Sequence, residues 1–92
     1  MTLTETAEAR LKRMKMRSWR RGTKEMDLVL GPWADAHLDG LTAAQLEDYE
    51  VLLAENDQDL MAWIFGQAAP KPEVAPLLAE IAEYARERLR KV

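Results

Sequence analysis

Every periodic stretch of this 92-residue chain repeats its apolar residues at helical spacing, and no segment alternates as a strand does. That restricts the fold to packed helices. The remaining question is where the chain is cut. Gly22 followed by Thr23 marks the first break, because glycine accepts the left-handed backbone that ends helices and threonine is a good N-cap. Helix one is expected over about residues 4–19, opened by a capping box of Thr2 with Glu5. Ala7, Leu11, Met14 and either Met16 or Ser18 supply its thin apolar stripe.

Helix two carries Met26, Leu30, Trp33 and His37 on one stripe, with Val29 and Ala36 beside it. Gly31-Pro32 falls inside that stripe. Proline removes one helical hydrogen bond, so this helix is expected to kink there or to restart with Pro32 in its first turn. Thr42 with Gln45 forms a second capping box, and Leu41 can staple onto Leu46. Helix three is expected at about 43–55, burying Leu46, Tyr49, Leu52 and Leu53. Asn56 or Asp57 caps helix four, at about 58–65, which carries Leu60, Met61, Trp63, Ile64 and Phe65 until Gly66 stops it. Pro72 suits the first turn of helix five, although Pro76 draws the regular start toward itself. Val74, Leu77, Leu78, Ile81, Tyr84 and Ala85 give its stripe, and the basic "RERLRK" sits at the negative end of its dipole. The expected fold class is all-α: a single small domain over residues 1–92, a bundle of about five short helices.

The net charge of −3 conceals a strong asymmetry. Residues 10–24 hold eight bases and no acid, whereas residues 25–83 hold thirteen acids and Lys71 alone among bases. A charge run is most simply a solvated helix face; the sharper reading is a dipolar protein that meets its partner with one end. A transit peptide is conceivable at the basic N-terminus, but Glu5 and Glu8 interrupt it and no apolar core follows, so the segment reads as part of the fold. No uncharged run is long and apolar enough to span a bilayer. A cytoplasmic setting, with no membrane partner, is therefore expected.

Reactive groups are sparse. The chain has no cysteine, which removes thiol chemistry, and one histidine, His37, whose place on the helix-two stripe suits a packed residue. "NDQD" resembles the start of a calcium loop, but Leu60 and Trp63 occupy later ligand positions. No catalytic residue, metal ligand or cofactor-binding residue is assigned. A basic first helix with Trp19 could rest on phosphates, yet the acidic remainder would repel the same backbone, so no nucleic-acid partner is expected.

Two motifs carry a resemblance. "RRGTKEMD" lies between helices one and two, and "NDQDLMAW" runs from the boundary after helix three into helix four. Together they resemble the flavinylation, or assembly, factors of succinate dehydrogenase, called SdhE in bacteria. The family's Arg-Gly-x-x-Glu signature is matched by Arg21, Gly22 and Glu25, with Arg20 before it and Asp27 after it. Its second landmark, Asp-x-Asp-Leu-x-x-Trp, is matched by Asp57, Asp59, Leu60 and Trp63. The likeness covers about residues 10–86. Thr23 stands where relatives often carry methionine, and the tail after residue 86 has no clear counterpart; neither touches the signature.

The resemblance implies a non-catalytic factor that binds the flavoprotein subunit of succinate dehydrogenase, and in bacteria that of fumarate reductase as well. Such factors promote covalent attachment of FAD to a histidine of that subunit. A monomer is expected, acting on the partner's FAD with no cofactor bound stably by this chain. The other reading left by the residues is a generic helical interaction module, nucleic-acid associated through its first helix. On the first reading, Gly22 allows a sharp turn and close backbone approach. Arg21 can grip a carboxylate or phosphate in bidentate fashion and has no evident structural duty. Glu25 stands at the positive end of helix two. Arg17, Arg20 and Lys24 rim the contact, and Asp27 completes the motif. Trp19 either anchors the partner or packs under the turn. The second landmark reads as cap and core, with Asp57 as cap and Leu60, Trp63 and Ile64 buried.

Overall fold

The first helix starts where Thr6 takes over the backbone. Its Oγ1 accepts from the Ala9 amide at 3.0 Å, and a computed structural model, which describes residues 5–90, places α1 at Ala7–Trp19. The expected cap at Thr2 lies outside the described residues. Glu5 is thus no capping-box partner within the helix; its carboxylate pairs with Arg13 at 2.8 Å. On α1, Met14 and Ser18 face inward, whereas Met16 is half exposed.

The second helix, α2, runs from Lys24 to His37 without interruption, so it does not restart at Pro32. Proline has no amide to offer the Leu28 carbonyl four residues back. The Arg88 guanidinium, arriving from the last helix, donates to that carbonyl at 2.8 Å. A single 3-10 turn, Leu38–Gly40, follows. Helix α3, Ala43–Leu53, opens with both halves of the Thr42–Gln45 capping box in place. Leu41 and Leu46 are half-buried against the core. Helix α4, Asp57–Ile64, is capped by Asn56, whose Oδ1 accepts from the Gln58 amide at 2.7 Å. Gly66 then adopts φ +76°, and the chain turns away. Helix α5 spans Ala75–Arg90. Pro76 lies in its first turn, while Pro72 falls in the turn that precedes it.

These elements form an all-α bundle, with no strand among the described residues. α1 lies along α2, and α5 crosses α2, α3 and α4. Trp33 of α2 is the hub. It stacks on Tyr49 of α3 at 5.3 Å and on His37 at 4.9 Å, and His37 meets Tyr84 of α5 edge-on at 5.0 Å. The expectation that His37 is a packed residue holds; its Nδ1 also bonds the Trp33 carbonyl at 2.9 Å. Leu30, Leu52, Leu60 and Ile81 are fully buried around this stack. No described helix is long and apolar enough to cross a membrane.

Candidate functional site

Between α1 and α2 the chain reverses over four residues. Arg20 leaves helical geometry at φ −128°, ψ 56°, and Gly22 takes φ +106°. A side chain at Gly22 would meet no neighbour within 4 Å, so its need for glycine comes from the backbone, not from crowding. Thr23 then caps α2 through a hydrogen bond from the Met26 amide to its Oγ1, at 3.3 Å.

Both flanks of the turn are pinned. On the α1 side, Ser18 is fully buried; its hydroxyl donates to or accepts from the Tyr49 hydroxyl at 2.6 Å and reaches the Met14 carbonyl at 2.8 Å. Burial disfavours the phenolate and pushes the Tyr49 hydroxyl up to about 12. Trp19 lies flat on α2 over Gly31. A Cβ at Gly31 would come within 2.3–2.6 Å of the indole, so glycine is required there for close approach. The Trp19 indole N–H donates to Asp35 at 3.0 Å, and 39% of the residue stays exposed. Trp19 is therefore packed against α2 with one edge still presented to solvent.

Arg21 departs furthest from expectation. Far from lacking structural work, its side chain is 9% exposed and turned into the corner between α3 and α4. Its Nε donates to Asp57 at 2.9 Å, its Nη1 donates to the Leu53 carbonyl, and its Nη2 donates to the Glu55 carbonyl at 2.7 Å. The guanidinium thus satisfies carbonyls at the negative end of α3 and pairs with the first-turn acid of α4. α3 ends at Leu53, two residues earlier than expected, where this arginine takes over the carbonyls. Asp57 is correspondingly not the cap of α4. Asn56 holds that role, and Asp57 is the partner of Arg21. Asp27 is half-buried and accepts from the Arg21 amide at 2.6 Å, so it too shapes the turn.

The rest of the predicted set faces outward. Arg17, Arg20, Gly22, Lys24 and Glu25 are exposed. The structure also divides the basic run in two. Arg10 pairs with Glu50 at 2.6 Å, Arg13 with Glu5 and Glu50, Lys15 with Asp39 at 3.1 Å, and Arg21 with Asp57. The Arg10 hydrogen bond holds the Glu50 carboxyl below its usual range. Lys12, Arg17, Arg20 and Lys24 form no ion pair with a described residue. The cations left over thus cluster toward the turn.

The reading of "NDQDLMAW" as core is met by Leu60 and Ile64, which are buried, and by Trp63, which is half-buried. Its link to the first motif was missed. An arginine after one helix and an aspartate opening another, thirty-six residues apart, are a chemically matched pair, but sequence spacing alone does not show that the two ends meet. Gly31, which the sequence marks only as the neighbour of Pro32, is the seat of Trp19.

The family model described as flavinator of succinate dehydrogenase, Sdh5, matches residues 12–85. The chain belongs to this family. An FAD assembly factor SdhE of Acetobacter pasteurianus is 37% identical over 81 residues, covering 87% of this chain and 74% of that protein. One from Legionella pneumophila strain Lens is 39% identical over 62 residues, covering 67% of this chain and 78% of its own length. The mitochondrial succinate dehydrogenase assembly factor 2 of Meyerozyma guilliermondii is 40% identical over 73 residues, but this chain spans only 51% of it. Nothing in these likenesses supports a generic or nucleic-acid-associated module.

Proposed function

We propose that this protein promotes covalent attachment of FAD to the flavoprotein subunit of succinate dehydrogenase, and to that of fumarate reductase where a cell makes one. As a member of the flavinator family it is an assembly factor, not an enzyme. It acts on FAD held by the partner and keeps no flavin of its own, working as a monomer in the cytoplasm without nucleic-acid or membrane partners. The observation that supports this reading is the turn at Arg20–Glu25. It is rigidly built from within by Arg21 and Asp27, yet it presents Arg20, Gly22, Lys24 and Glu25 outward without internal charge partners. Trp19 and Arg17 flank that surface. A protein of this kind works by binding one conformation of its partner better than others, which shifts the population toward the state in which the flavin attaches.

The test is to delete the gene and measure covalent flavin fluorescence in the denatured flavoprotein. Loss of fluorescence, restored by the wild-type chain, is the expected outcome. Unchanged fluorescence would exclude the function.

A further inference from the structure

A shallow groove of about 300 Å³ runs along the outer face of α1, lined by Arg13, Met16, Arg17 and Arg20. Met16 forms its apolar floor and is 50% exposed, a large apolar side chain that the bundle itself leaves in water. We infer that this groove extends the turn's docking surface for the flavoprotein subunit along α1 as far as Met16, and that it takes an acidic segment carrying an apolar side chain. This rests on the function proposed above and adds the chemistry of the partner segment.

Charge complementarity fixes the occupant. Arg13, at one end, is already held by Glu5 and Glu50. Arg17 reaches only the Leu53 carbonyl, at 3.4 Å, and Arg20 pairs with no described acid. Two guanidinium groups therefore flank the thioether without a carboxylate between them. A ligand that satisfies all three needs carboxylates for Arg17 and Arg20 and an apolar group for Met16. Guanidinium groups grip carboxylates with two parallel bonds, and methionine adapts its shape to whatever apolar side chain arrives. Arginine and methionine are also among the residues favoured at protein interfaces. A nucleic-acid backbone would supply charge but nothing for Met16. Arg20 stands two residues from Gly22, so one partner surface can engage the groove and the turn together.

The test measures binding of the purified flavoprotein subunit to four variants of the full chain, with circular-dichroism melts to confirm folding. Arg17→Glu/Arg20→Glu is expected to weaken binding by about ten-fold or more and to flatten its salt dependence. Met16→Gln, which keeps length and helix propensity, is expected to weaken it several-fold at every salt concentration. Arg86→Glu makes the same charge change as each arginine reversal, on exposed α5, and is expected to stay within about two-fold of wild type. Glu25→Ala reports on the turn alone. The groove is rejected if Arg17→Glu/Arg20→Glu binds as wild type while Glu25→Ala does not, or if Arg86→Glu is as damaging as Arg17→Glu/Arg20→Glu. Failure of the wild-type chain to bind the flavoprotein at all would instead reject the function from which the proposal starts.

Discussion

Gly22 and Glu25 belong to one motif, but they answer to different forces. Gly22 holds φ +106° in open space, so an alanine there meets no clash and yet must bear a left-handed backbone. Gly22→Ala is expected to cost about 1–2 kcal/mol, read as a drop of several degrees in melting temperature. Glu25→Ala, on an exposed position, is expected to change stability by no more than about 0.5 kcal/mol while reducing flavin attachment. If Glu25→Ala left covalent flavin fluorescence intact, the turn would lose its claim to be the contact face. Tyr49 gives a separate handle on the same corner. Its hydroxyl ordinarily titrates near 10 and is pushed up to about 12 by burial. The folded state therefore favours the neutral phenol. That contribution is complete below pH about 10 and is lost as pH rises toward 12, a change of up to about 3 kcal/mol. Tyr49→Phe is expected to remove this alkaline loss from a urea titration, at the expense of about 1 kcal/mol near neutrality for the missing bond to Ser18.

Helix boundaries were legible in the sequence wherever one residue caps its own helix. Thr23, the Thr42–Gln45 box and Asn56 all act locally, and all three stand where residue chemistry puts them. The start of α1 is less legible because three threonines, Thr2, Thr4 and Thr6, stand near it, and only the described one, Thr6, is seen to cap it. What no local pattern could reveal is which elements satisfy one another. Arg21 closes α3 and holds α4, so the first motif is built on the second. The pair is 9% and 18% exposed, and removing one member of a pair buried to this degree leaves a costly unpaired charge. Asp57→Ala is expected to destabilise the bundle by about 3 kcal/mol in urea denaturation. Arg21→Lys should do little better than Arg21→Ala, because an ammonium cannot reproduce the planar fork that spans Asp57, Leu53 and Glu55. It follows that loss of flavinylation in an Arg21 variant reports on the turn's foundation, whereas loss in a Glu25 variant reports on its face. Arg88 and Pro32 show the same dependence between elements. Arg88→Ala is expected to cost about 0.5–1 kcal/mol alone and almost nothing beside Pro32→Ala, because the restored amide then serves the Leu28 carbonyl.

For the molecule as a whole, the net charge of −3 is a poor guide to what a partner meets. The bundle measures 44 × 28 × 25 Å, several times the Debye length of roughly 8 Å at physiological salt. Charges at opposite ends are screened from one another, and an approaching surface responds to the end it faces. Internal pairing sharpens that end. Four of the eight bases between residues 10 and 24 are neutralised by acids elsewhere on the bundle, and the four left over include Arg17, Arg20 and Lys24 around the turn. The acidic remainder of the chain does not cancel these cations; it supplies partners that hold α1 in place. Encounter with the flavoprotein should therefore be steered toward the turn, and steering acts on the association rate. Raising ionic strength from about 0.05 to 0.5 M is expected to slow association in stopped-flow mixing by about ten-fold while dissociation changes little. The Arg17→Glu/Arg20→Glu chain should start slow and respond weakly to salt. An association rate indifferent to salt in the wild-type chain would mean that the basic end plays no part in encounter, and that the turn is found by shape alone.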